Sequence, residues 1–307
     1  MSRAANYFLS LPGHTLYLIP SIYTLRQFYS GDIEVFAYPE SYDLVKKISN
    51  DPRLGIEPIL LHPKYKRQVI DRFEVSTRPG RELRLYLDAD ITFHGEIDRL
   101  FREAERVGLV MTQYGKFLIS RRIIHNRVSR LKKYKAPNQI NQKVLEELLK
   151  NPYPAINGGV YACRTDSHAL HEWYRYTQII HRQNIPDELC SHVIYLEHRK
   201  EVEVLPGKYN MAARFWEGGP DTRIRHYSGQ CCLRYFKSPR SFRRWWNIFE
   251  FCLEQNFGCV QEWWQKLNNP FLKECIALRE SHLWEKLMSP RTQVKLEEVY
   301  GEDGVLA

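Results

Sequence analysis

No apolar run in this 307-residue chain reaches the ~18 residues that a membrane-spanning helix needs, so the sequence argues against a transmembrane span. The opening stretch MSRAANYFLSLPGHTLYLIP carries one basic residue, and Ser10, Pro12, Gly13 and His14 interrupt its apolar part. It makes a poor secretory leader, and cytoplasmic residence is the expectation. Cysteine is scarce and unpatterned: seven residues, an odd number, with no Cys-x-x-Cys pair, which argues against a disulfide framework. Cys231 and Cys232 are adjacent, too close for ordinary bridging. Repeats and low-complexity tracts are missing as well. Acidic residues are the minority, 36 against 45 Lys and Arg, and the resulting +9 charge favours an acidic partner. A phospholipid surface, a nucleotide, an anionic glycan and nucleic acid all satisfy that condition.

Hydrophobic residues make up 43% of the chain, and its length supports one large domain or two moderate ones with a full core. Short apolar runs alternate with amphipathic segments through the first two-thirds, the pattern of a mainly parallel sheet covered by helices. Strands are expected near 15–19, 32–38, 56–61, 83–88 and 107–112, with helices near 21–29, 40–49, 64–75 and 96–106. A basic tract from Gln113 to Asn151 reads as an excursion from the core, with a solvated helix face as the competing reading. PAINGGVYACR, residues 154–164, reads as a turn entering a strand, and its adjacent Gly158 and Gly159 allow close approach of a ligand to the backbone. A helix near 167–182 and a short strand at EVEVLP follow. The chain ends in a helical region in which Phe242, Trp245, Trp246, Phe249, Leu253, Val260, Trp263, Trp264 and Leu267 recur at helical spacing.

The most informative stretch is LRLYLDADITF, residues 83–93, where Asp88 and Asp90 stand one residue apart at the end of an apolar run. Residues i and i+2 of a strand face the same side, so both carboxylates are expected to share one crevice. Like charges that close repel unless a proton or a cation intervenes. A hard divalent ion such as Mn²⁺ or Mg²⁺, which keeps positions open for phosphate oxygens, suits the pair. Open α/β sheets bind ligands beyond the carboxyl ends of their strands, which is where these residues fall.

Four islands in order resemble the GT-A glycosyltransferases, especially family 8 and related nucleotide-diphospho-sugar transferases. LRLYLDADITFHGEIDRLF resembles their Asp-x-Asp strand and following helix. INGGVYACR resembles their Asn-x-Gly-Val strand, and Asp187 with Glu188 resembles their acidic pair at a helix start. LPGKYN followed by IRHYSG resembles their Leu-Pro-x-x-Tyr-Asn and His-x-x-Gly. The chain departs from family 8 after Gly229, where QCCLRYF replaces a Lys-Pro-Trp that grips the diphosphate; Arg234 and Lys237 are the nearby cations.

The resemblance implies a single GT-A (Rossmann-like) catalytic domain over residues 1–235 with a C-terminal helical extension, 236–307, packed on it. It implies a metal-dependent hexosyl transfer from a nucleoside diphosphate sugar, a UDP-sugar, to an acceptor hydroxyl on a glycan or lipid-linked acceptor, with retention of configuration, in cell-surface glycan synthesis. Asp88, Asp90 and His226 become the ligands of Mn²⁺ or Mg²⁺. Arg67, Asp88, Asn157, Gly158, Gly159 and Gly229 become donor-binding residues, with Arg72 as the alternative to Arg67. Asp187, Glu188 and Asn157 become the catalytic group. Pro20, Ser21 and Tyr23 are the candidates on the base side.

Two other classes compete. Asp88-Ala-Asp90-Ile-Thr92 matches the nucleophile strand of haloacid-dehalogenase-type phosphatases, although eighty-odd residues precede it and no Asp-Asp or Gly-Asp-x-x-x-Asp follows it. The tract around residues 121–135 and the aromatic C-terminus raise a non-enzymatic nucleic-acid binder; the helical stripe of those aromatics favours burial instead of base stacking. Lys237, Arg240, Arg243 and Arg244 beside Trp245 and Trp246 suit peripheral contact with an anionic membrane, on its cytoplasmic face, with core packing as the competing reading.

Overall fold

The computed structural model describes residues 1–65, 68–118, 121–133, 142–150, 153–181, 188–213, 218–227, 239–281 and 283–288. The chain begins with β1 (Arg3–Leu9), α1 (Thr15–Arg26), β2 (Asp32–Ala37), α2 (Pro39–Ser49), β3 (Ile56–Leu60), α3 (Gln68–Ser76) and β4 (Leu83–Leu87). Next come β5 (Ile91–Phe93), α4 (Asp98–Val107), β6 (Leu109–Leu118), α5 (Arg121–Lys133), α6 (Gln142–Lys150) and β7 (Pro154–Arg164). Then follow α7 (His168–His181), α8 (Glu188–Glu197), β8 (Val202–Leu205), β9 (Met211–Ala212) and β10 (Ile224–His226), and after them α9 (Pro239–Glu254), α10 (Pro270–Arg279) and α11 (Leu283–Met288).

Seven strands form one sheet in the order β3-β2-β1-β4-β7-β6-β8. β7 runs against both of its neighbours, and the remaining pairings are parallel. The alternating pattern predicts the parallel part of this sheet, and its mixed, mainly parallel character is what the GT-A resemblance implies. Leu83, Leu85 and Leu87 point to one face, where they join Ala5, Tyr7, Val35, Val160 and α1 in the larger core. Tyr86, Met111 and Tyr161 point to the other face, which α5 to α8 cover. Asn6, Glu34 and Arg84 form a buried polar ladder on three adjacent strands, with Asn6 Nδ2 donating to Glu34 at 2.9 Å and Arg84 Nη1 to the same carboxylate at 2.5 Å. A one-residue slip would turn this ladder into the apolar face, so it pins the register.

Two expectations are corrected. Residues 15–19 are not a strand: α1 runs unbroken from Thr15 to Arg26, and the first strand is Arg3–Leu9. Wedged between sheet and C-terminal helices, α1 is buried nearly all round, so its sequence has none of the polar face that marks a helix. The tract 113–151 is only partly an excursion. β6 extends to Leu118, and Ile124, Val128, Val144, Leu145 and Leu148 bury one face of α5 and α6. The aromatic C-terminus packs into the core, as the helical stripe suggests: Trp245 and Trp246 are 2% and 0% exposed.

Those helices bear on the rest of the molecule through α1. Trp245 stacks on Phe249 with ring centroids 5.3 Å apart and meets Tyr17 at 5.7 Å. Asn269 caps α10 by accepting from Leu272 N, and its Nδ2 donates to the Gly13 carbonyl at 3.0 Å. Five cysteines are described as free thiols, four of them buried, and burial pushes Cys163 up to about 12. Among the described residues no helix is long and apolar enough to cross a membrane.

Candidate active site and metal centre

β4 ends at Leu87, so Asp88 and Asp90 lie in the tight turn between β4 and β5. Their convergence is therefore made by the turn, and not by strand alternation as the spacing suggests. Asp88 N donates to the Gly159 carbonyl at 2.8 Å, which anchors the turn to β7. β5 then pairs antiparallel with β10, with His226 opposite Ile91, and Tyr227 N donates to the Asp90 carbonyl at 2.9 Å. This small second sheet carries His226 to the aspartates from far along the chain. Its Nε2 lies 3.3 Å from Asp90 Oδ1 and 3.7 Å from Asp88 Oδ2, and the three ligand atoms all fall within 4.8 Å of one another.

The tautomer of His226 follows from a chain of hydrogen bonds behind it. The Thr112 hydroxyl donates to the Val160 carbonyl at 2.7 Å and accepts from Asn210 Nδ2 at 2.9 Å. Asn210 thus turns Oδ1 toward His226, whose Nδ1 lies 2.8 Å away and carries the proton. The lone pair on Nε2 then faces the aspartates. An imidazole held this way by its other nitrogen is the usual arrangement of a metal-ligating histidine. With two carboxylates it forms a donor set that fits Mn²⁺ or Mg²⁺.

A wide bulge in β7 forms the adjoining wall. Met111 pairs with Tyr161 but Thr112 pairs with Asn157, so residues 158–160 loop out of the ladder with β6. Asn157 Oδ1 accepts from Gly159 N at 2.8 Å and stabilises that loop. A Cβ on Gly159 would stand 2.4 Å from Asp88 Oδ2 and 2.5 Å from the His226 ring; one on Gly158 would stand 2.4 Å from Arg72 Nη2. The double glycine is thus required by close approach of side chains to backbone. Arg72, only 6% exposed, lies 3.4 Å from the Gly158 carbonyl through Nη1 and stacks near Phe73 and Trp173.

These groups open on a cavity of about 280 Å³ lined by Phe8, Ser10, His14, Tyr17, Arg72 and Asp88 among others. Burial and then the Asp90 charge raise the pKa of Asp88, while His226, Arg72 and the Tyr86 hydroxyl, 3.2 Å away, oppose the shift. Burial lowers His14, against the pull of Asp90. The pocket therefore holds two carboxylates whose mutual repulsion calls for a cation, with a fixed guanidinium beside them.

Asp88, Asp90, His226, Gly158 and Gly159 all meet here, and Asn157 supports the bulge from within. Glu188 opens α8, where its carbonyl accepts from His192 Nδ1 at 2.6 Å, and His192 Nε2 reaches the Pro154 carbonyl at the start of β7. Arg67, Asp187 and Gly229 lie outside the described residues. Arg72, the alternative to Arg67, is the arginine that reaches the glycine bulge. Pro20, Ser21 and Tyr23 are not pocket residues: Ser21 bonds Tyr7 in the core, and Tyr23 packs on Phe251 and Phe257. His14 and Tyr17, a turn earlier, line the cavity instead. The sequence reading missed Asn210 as a site residue, although it closes the LPGKYN motif.

No family model matches this chain, and no curated protein matches it. Among solved structures it is similar to the glycosyltransferase GlyE of Streptococcus pneumoniae TIGR4, with 13% identity and a TM-score of 0.50 over 85% of this chain. That match takes in 64% of the GlyE chain, just under two thirds of its length. It is also similar to the apo form of mouse xyloside xylosyltransferase 1, with 12% identity and a TM-score of 0.46, over 74% of this chain and 98% of that one. At 13% identity the likeness to GlyE establishes the fold: a mixed, mainly parallel α/β sheet flanked by helices, shared with a solved glycosyltransferase, as the sequence resemblance implies.

Proposed function

We propose that this chain is a metal-dependent glycosyltransferase that moves a sugar from a nucleoside diphosphate donor, a UDP-sugar, to an acceptor hydroxyl. The observation that carries this reading is the meeting of Asp88, Asp90 and the Nε2 of His226 at the mouth of a cavity beyond the carboxyl end of β4. Held by these three residues, Mn²⁺ or Mg²⁺ supplies Lewis-acid stabilisation of charge on the departing diphosphate. Arg72 presents a buried, fixed guanidinium toward the same anion. The Gly158–Gly159 bulge lets Arg72, Asp88 and His226 stand directly against the backbone, which gathers the cationic and metal-binding groups at one end of the donor. Ser10, His14 and Tyr17 line the same cavity and are further contacts for the donor. Asp187 and Glu188 are assigned to the sugar hydroxyls or to charge at the anomeric carbon, and Asn157 to the donor sugar; Arg67 and Gly229 are assigned to the donor phosphates.

Retention of configuration, a glycan or lipid-linked acceptor in cell-surface glycan synthesis, and cytoplasmic residence with peripheral membrane contact belong to the same proposal. So does the division into a catalytic unit, 1–235, and an extension, 236–307. A phosphatase using Asp88 as nucleophile is less well supported, because an imidazole and not a further carboxylate joins the aspartates. Base stacking by Trp245 and Trp246 is disfavoured by their burial.

The test is a panel of sugar nucleotides with Mn²⁺, scored for donor hydrolysis and for protection against thermal unfolding. One or more members should do both, and Asp88→Asn should lose both effects. No response to any member overturns the reading.

A further inference from the structure

We propose a second metal site, formed by His168, His198 and Glu201 and selective for a borderline cation such as Zn²⁺. Their ligand atoms all lie within 4.8 Å of one another, and the two imidazole rings meet edge to face with centroids 5.0 Å apart. His168 is the first residue of α7; His198 follows the last residue of α8, and Glu201 immediately precedes β8. Glu201 N donates to the His198 carbonyl at 2.8 Å, closing the turn that brings the second and third donors together. Leu109 N donates to the Glu201 carbonyl at 3.1 Å, which fixes that turn to the start of β6. Among the described residues no hydrogen bond or ion pair engages the three donor atoms.

The place in the fold separates this cluster from the aspartate centre. Asp88 is bound to β7 at Gly159, whereas His168 follows the far end of the same strand at Arg164. Five residues of strand at ~3.3 Å each put about 17 Å between those ends. One ion cannot serve both.

The donor chemistry also differs. Two imidazoles and one carboxylate make a set that Zn²⁺ takes in four-coordinate sites, with water in the fourth position. Two carboxylates and one imidazole suit harder ions. Glu172 lies one helical turn beyond His168 and within electrostatic reach of both imidazoles, adding negative charge although Arg175 already hydrogen-bonds it at 2.6 Å. An ion held here would tie the start of α7 to the turn between α8 and β8, and its binding energy would add to the stability of the folded chain. The inference does not depend on the transferase reading.

The experiment is a calorimetric titration of the chelator-stripped, full-length protein with Zn²⁺, together with its melting temperature, for the wild type, His168→Asn, His198→Gln and Asp88→Asn. Removal of a direct ligand should weaken one zinc-binding event by at least about 100-fold, more than the ~10–100-fold cost of losing an outer partner. His168→Asn and His198→Gln should both lose that event and its rise in melting temperature, while Asp88→Asn keeps them. His168 is exposed, so its replacement leaves the fold intact even if His198→Gln does not fold. Undiminished zinc binding in His168→Asn, or loss of all zinc binding in Asp88→Asn, overturns the proposal.

Discussion

His226 Nδ1 donates to Asn210 Oδ1 at 2.8 Å, and that single bond decides which ring nitrogen faces Asp88 and Asp90. Asn210→Leu removes the acceptor while leaving all three candidate ligands in place. Mn²⁺ affinity, read by calorimetry, is expected to fall about 10–100-fold. Asn210→Asp keeps an acceptor and should lose far less.

The two glycines of the bulge should respond differently to alanine. At Gly159 the new methyl group meets Asp88 and the His226 ring, both of which are held, and overpacking of this kind costs about 1–3 kcal/mol. Metal binding should fail together with stability. At Gly158 it meets the end of the Arg72 guanidinium, so the expected effect is weaker binding of nucleoside diphosphates with the metal affinity kept. Calorimetric titrations with Mn²⁺ alone and with UDP plus Mn²⁺ separate the two.

Acid stability should report the polar ladder across β1, β2 and β4. Burial raises the Glu34 pKa, but the hydrogen bonds and charges of Arg81 and Arg84 outweigh it and hold the carboxyl below its ordinary 4.5. Its contribution is therefore present above about pH 4.5 and is lost as the pH falls through the lower folded value. Glu34→Gln leaves Arg84, 2% exposed, without its counter-charge and should cost about 3 kcal/mol near neutrality. In urea titrations the gap between wild type and variant is expected to narrow toward pH 3.

Trp245 connects the C-terminal helices to the cavity wall through Tyr17. Trp245→Ala should cost about 3–5 kcal/mol, the range for emptying a large buried aromatic site. It should also weaken donor protection in thermal melts, since Tyr17 loses a packing partner. Full retention of stability would show that the extension does not contribute to the core.

Much of this was legible from local pattern. Short-range rules locate β2, β3, β4 and β7, because a buried strand must be apolar whatever surrounds it. They also expose Asp88 and Asp90, since charge at the end of such a strand has few structural uses. They misread residues 15–19, because a helix buried on all sides loses the periodicity that identifies it. Arg72 and Asn210 look like ordinary surface residues of a helix and a turn. The family resemblance offers Arg72 as an alternative and includes Asn210 in its LPGKYN motif, but only the folded chain shows that one reaches Gly158 and the other His226.

By itself, then, the sequence determined a mainly parallel α/β sheet, an acidic pair at the end of β4 and a glycine pair in β7, all of them consequences of residue chemistry over a few neighbours. Only the tertiary structure decided that the β4–β5 turn, and not strand alternation, brings the aspartates together. Only the pairing of β5 with β10 delivers His226 to them, and only the Val160–Thr112–Asn210 chain selects its ring nitrogen. Those outcomes depend on contacts between residues far apart in the chain, which hydrophobic burial and register fix together.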